Sequence, residues 1–64
     1  MSPKKTLQQR QQELQSLLAT PAGREELQQL ESHYHATSGV LRPVGTSVIT
    51  FLLVHERELG LIVG

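Results

Sequence analysis

The chain has 64 residues, a formal net charge of +0 from six Lys+Arg against six Asp+Glu, and no cysteine. Its length allows one small domain, and its charge balance excludes a polycationic nucleic-acid coat or an acidic solvating tail. The missing thiols exclude a disulfide scaffold and every thiolate metal site. The longest unbroken apolar run, Phe51 to Val54, is far below the ~20 residues that span a bilayer. The polar, basic start gives no apolar stretch for a signal peptide. These features imply a soluble cytoplasmic protein with no membrane contact, folded as a single domain over 1–64.

The first predicted element is a helix over about 6–19. Thr6-Leu7-Gln8-Gln9 fits a capping box, in which the Thr hydroxyl and the Gln amide satisfy each other's backbone N–H groups. Gln, Arg, Leu and Glu follow, all good helix formers. Leu7, Leu14, Leu17 and Leu18 form a narrow apolar stripe, interrupted by Arg10 and Gln11 on the same face.

A second helix is expected over about 21–38. Thr20 is a suitable N-cap and Pro21 a suitable first residue, because its missing N–H would have no partner there. Leu27, Leu30 and Tyr34 recur at helical spacing, and Gly39 is the natural stop in a left-handed conformation. So short a link between the two helices predicts a hairpin. Residues 39–45 read as a loop, with Pro43 barring helix and Gly45 marking a turn.

The apolar segment 46–64 admits two readings. As a helix it starts at Thr46 or Ser47 and ends at Gly60, with Leu61 folding back in a Schellman-type contact and Val48, Phe51, Leu52, His55 and Leu59 on one face. As an alternative, its β-branched residues allow a meander of 40–42, 47–54 and 59–63. Glu56-Arg57-Glu58-Leu59 lacks a turn residue before Gly60, which favours helix. The fold class expected is therefore mainly α, a helical hairpin plus a third helix, with α+β as the alternative.

Chemical motifs are sparse. His33 and His35 point some 160° apart on a helix and cannot chelate one ion from it. His55-Glu56 begins like a zinc-protease helix, but the second histidine of that motif is replaced by Leu59. There is no Asp, nucleophile elbow or phosphate loop. No enzyme activity, metal or cofactor is expected.

Two functional readings remain. Lys4, Lys5 and Arg10 make the first twelve residues +3 with no acid, which fits a small nucleic-acid regulator contacting phosphates. The rest of the chain is then −3, and no aromatic residues interleave with the cations for stacking. The favoured reading is a non-enzymatic protein acting through protein–protein contacts, either self-association or an unidentified protein partner. Its expected interface is Leu53, Val54, Leu61 and Ile62, which two short helices leave uncovered.

Overall fold

The computed structural model describes residues 4–63 and contains three helices, each in contact with the other two: α1 (Leu7–Leu17), α2 (Pro21–Ser38) and α3 (Val48–Glu58). The fold is mainly α. The β-meander is not formed, and the β pairing among the described residues is one parallel bridge between Thr6 and Val63.

Local sequence sets each helix boundary. At α1 the full capping box is present: Thr6 Oγ1 accepts from the Gln9 N–H at 3.2 Å, and Gln9 Oε1 accepts from the Thr6 N–H at 3.0 Å. Thr20 caps α2 by accepting from the Gly23 N–H at 3.0 Å, and Pro21 occupies the first turn. Gly39 ends α2 with φ 75°. Ser47 caps α3 by accepting from the Thr50 N–H at 3.1 Å.

The end of α3 is a Schellman motif. The Leu61 N–H donates to Glu56 O at 2.9 Å and the Gly60 N–H donates to Arg57 O at 3.0 Å, with Gly60 at φ 76°. This turn reverses the chain and lays 61–63 against the start of α1. The Leu7 N–H donates to Val63 O and the Val63 N–H donates to Lys5 O, both at 3.2 Å. The returning segment buries Ile62 and leaves Leu61 outside. The reversal is therefore as expected, but the side chain that follows it into the core is the next one along.

Between α1 and α2 the link is three residues, and the helices meet closely there. A Cβ on Gly23 would lie 2.0 Å from Leu17 O, so only glycine lets the first turn of α2 pass this carbonyl. Arg24 Nε donates to Leu18 O at 3.0 Å and closes the end of α1. In the loop after α2, the Thr46 N–H donates to Pro43 O at 3.1 Å across Val44 and Gly45. Arg42 braces this turn by donating to Glu31 Oε1 at 2.8 Å and to Thr46 O.

The core lies where the three helices converge. Leu14, Leu27 and Leu52 are fully buried, and Tyr34, Ile49, Leu53 and Ile62 surround them. Leu7, Leu17, Leu30 and Val48 pack on as a half-buried rim. The face expected for α3 is thus displaced. Ile49 and Leu53 join the interior, whereas Leu59, expected inside, is the C-cap residue and is 55% exposed. The cause is the Gly60 reversal, which brings Ile62 and α1 onto the flank that a bare hairpin leaves open.

Candidate functional site

Buried charge is the first feature that departs from an ordinary small core. Glu56 is 3% exposed, yet its carboxylate is fully partnered. Oε2 accepts from Arg10 Nε at 2.9 Å, and Oε1 accepts from Arg10 Nη2 at 2.8 Å and from Tyr34 Oη at 3.2 Å. Two parallel N–H bonds to one carboxylate are the geometry in which Arg binds most firmly. Arg10 comes from α1, Tyr34 from α2 and Glu56 from α3, so a single carboxylate ties all three helices together.

The network continues outward. Arg10 Nη1 also donates to Glu13 Oε1, and Lys5 Nζ donates to Glu13 Oε2. Its electrostatic consequences follow from these partners. The bond to Glu56 raises the Arg10 pKa further above its ordinary value, against the opposing effect of burial. Lys5, with help from Arg10, holds the Glu13 carboxyl below its ordinary value. Burial first, and the Glu56 charge second, push the Tyr34 phenol up.

An open cleft of about 290 Å³ borders this network, lined by Lys5, Arg10, Tyr34, Glu56, Leu61 and Ile62. The lining sets Lys5 and Arg10 against the carboxylate of Glu56, and both cations are also paired with Glu13. The Glu56 oxygens are occupied by fixed donors. Three donors hold the carboxylate, two on Oε1 and one on Oε2, and the arrangement closes a polar core.

The basic residues read as a phosphate-contacting arm are placed differently from one another. Arg10 is engaged with Glu56 and Glu13, and its side chain is 18% exposed. Lys5 pairs with Glu13, and Lys4 Nζ donates to Gly60 O at the end of α3. All three cations have partners inside the chain. The interruption that Arg10 makes in the α1 stripe is the counterpart of Glu56, an acid in an otherwise inward position of α3.

The histidines also separate. His33 and His35 are exposed on α2, and His35 Nδ1 lies 3.3 Å from Val40 O. His55 is buried and stacks on Tyr34 and Phe51 at ring-centre distances of 5.0 and 5.3 Å. Among the described residues no three His or Glu side chains converge on a point that could hold a metal.

The second feature is apolar and exposed. Of the four residues expected at an interface, Leu53 and Ile62 are 8% and 7% exposed and belong to this chain's own core, while Val54 and Leu61 are 51% and 53% exposed. The two pairs do not form one patch. Around Val54 runs a groove of about 170 Å³, lined by Leu7, Thr50, Leu53, Val54 and Arg57. Leu59 and Val63 are 55% and 56% exposed. Leu7, half-buried between Leu53 and the exposed groove, was not distinguished in the sequence from the other α1 leucines. Its role follows from the Val63 pairing, for which the sequence gives no local signal.

No helix among the described residues is long and apolar enough to cross a membrane. No known protein family, curated protein or solved structure matches this chain.

Proposed function

We propose that this protein is a small non-enzymatic module that works through protein–protein contact, with self-association as its first form. One observation carries the reading. Among the described residues, eight large apolar side chains lie in the interior and eight at the surface, each of the latter at least 38% exposed. Single exposed apolar residues are normal, but clustering is not. Val54, Leu59, Leu61 and Val63 fall within ten residues of one another in sequence, and Val63 pairs with Thr6 at the start of α1.

The size of the chain supports the same conclusion. A domain of about 60 residues buries a smaller share of its surface than a larger one, and here neither disulfide nor thiolate metal site is available as a staple. Covering the exposed leucines and valines with a second copy adds the apolar burial that one copy lacks. The filled carboxylate of Glu56 favours a structural role for the polar cluster over a catalytic one.

The test is native mass by sedimentation across a concentration series, with far-ultraviolet circular dichroism on the same samples. The wild-type mass rises above that of one chain as concentration increases. Replacing both Val54→Glu and Leu61→Glu keeps the mass at that of one chain with helicity unchanged, because both sites are half exposed and Glu suits a helix better than Val. Substituting Leu53 or Ile62 would not test the idea, since it damages the core. A wild-type chain that stays monomeric throughout defeats self-association.

A further inference from the structure

We propose that two copies of this chain associate by exchanging α1, each laying its α1 on α2, α3 and residues 61–63 of the other. The proposal rests on the self-association reading and names the segment that crosses and the site that receives it.

The receiving site admits one kind of occupant. Glu56 is 3% exposed and takes Arg10 through two N–H bonds at 2.9 and 2.8 Å. A helix without an arginine in that register would leave a buried carboxylate stranded. Val63 meanwhile holds both neighbours of Thr6, accepting from the Leu7 N–H and donating to Lys5 O. Arg10 and these backbone groups belong to one segment of this chain. The site therefore fits α1 of the same copy or of a second one.

The arm itself is detachable. Its capping box and its helix-forming composition are local, and the links from Glu13 to Lys5 and Arg10 travel with it. Leu14 is its one fully buried side chain. Leu18, Ala19 and Thr20, which join it to α2, are exposed, so opening the joint by itself uncovers no core side chain.

The joint decides which copy supplies the arm. Three residues reverse the chain between α1 and α2, and Gly23 is left with no room for a Cβ beside Leu17 O. Short, crowded links are the ones that invite exchange, because an opened link no longer has to make the turn. Pro21 keeps the opened link from continuing as one helix, since its ring would strike the Leu17 carbonyl one turn back. Exchange repeats every contact of the arm within its site. Its balance therefore rests on the link and on the apolar surface that the two bodies cover, the part attributed above to Val54 and Leu61.

The test changes the link and leaves every contact in place. Gly-Ser-Gly is inserted between Ala19 and Thr20, and the mass series is run beside that of the wild type. A longer link turns back easily, so the inserted chain keeps the wild-type helicity and needs at least ~10-fold more protein to dimerise. A dimer docked through an outer surface is indifferent to the insertion, and an unchanged midpoint overturns the proposal. A second variant traps the exchanged arm. The chain has no cysteine, and Thr6 and Val63 face each other across the parallel bridge. Thr6→Cys and Val63→Cys are combined in one chain and oxidised with glutathione disulfide after the mass has settled at that of two chains. Exchange joins two chains covalently, whereas a bond closed within each chain means dimerisation without exchange and overturns the proposal. If the loss of the Thr6 cap unfolds this variant, the insertion, which keeps Thr6, decides alone. A wild-type chain that is monomeric at every concentration overturns the underlying self-association reading as well.

Discussion

Helices α1 and α3 are the same length, 11 residues, and are built on opposite principles. Helix α1 buries one side chain, Leu14, and is otherwise held by its capping box, its ion pairs and the bridge to Val63. Helix α3 buries six, including the whole carboxylate of Glu56. The first is a polar strap whose helicity comes from its own composition. The second is the pillar, helical despite β-branched Val48, Ile49, Thr50 and Val54, because α1, α2 and the returning Ile62 bury its inner face. Local propensity and tertiary burial are thus separable within one small fold, and the two helices should fail differently.

The largest effect that tests this contrast is cavity formation at two of the three fully buried leucines, Leu14 in α1 and Leu52 in α3. Each truncation to alanine removes ~2–5 kcal/mol. The whole stability expected for a chain of this size is ~3–10 kcal/mol. Leu52→Ala, in the pillar, lowers hydrogen-exchange protection in all three helices together. Leu14→Ala removes the one anchor of the strap, so protection is lost first in α1 and in 61–63 while α2 and α3 keep most of theirs. Equal, uniform loss in both variants would show that strap and pillar are a single cooperative unit.

A smaller effect is expected at the bond that joins them. Glu56→Gln leaves the Arg10 guanidinium without its carboxylate in a site where the Arg10 side chain is 18% exposed and that of Glu56 was 4% exposed. Breaking a fully buried pair costs ~3–5 kcal/mol, and the residual exposure of Arg10 reduces this to ~2–4 kcal/mol. Replacing both partners, with Arg10→Met and Glu56→Leu, restores most of the loss, because neither charge then needs solvation. Chemical denaturation of the three proteins checks this. A double variant no more stable than Glu56→Gln would show that the pair itself, and not the stranded charge, holds the helices.

The same contrast explains what was legible in the sequence. The boundaries of α1 and α2 could be read because their signals are local: Thr6 with Gln9, Thr20 with Pro21, and Gly39. Helix α3 was contested because burial on most sides erases the periodicity that separates helix from strand, and helix was favoured by the lack of a turn residue in Glu56-Arg57-Glu58-Leu59 and by the helix-sized span between Gly45 and Gly60. Exposure along this segment was hard to read for the same reason. Val54 and Leu61 are outside, but Leu53 and Ile62 are covered by contacts that depend on the Val63 bridge, a pairing 57 positions distant from Thr6. Gly23 reads as an ordinary helix residue, and only the nearness of Leu17 O shows why it has no side chain. Arg10 was visible as an interruption of the α1 stripe, but nothing in the sequence marked Glu56 as its partner. Their meeting required the third dimension.

The smallest predicted effect concerns Tyr34, which links α2 to the same carboxylate. It is the one tyrosine of the chain, so phenolate absorbance reports this site alone. Burial raises its pKa above 10.0 in the folded state, and the neighbouring Glu56 charge adds to the rise. The folded protein therefore keeps the phenolic proton where the unfolded chain releases it. Stability attributable to this group is intact below pH 10.0 and declines as pH rises from there through the folded value. Tyr34→Phe removes that alkaline slope and, at neutral pH, costs only ~1 kcal/mol for the lost bond to Glu56 Oε1, since Arg10 continues to hold both carboxylate oxygens. An absorbance titration with helicity followed in parallel decides the matter. A folded-state midpoint at or below 10.0 would mean that Tyr34 is solvated and that α2 is joined to the polar centre by packing alone.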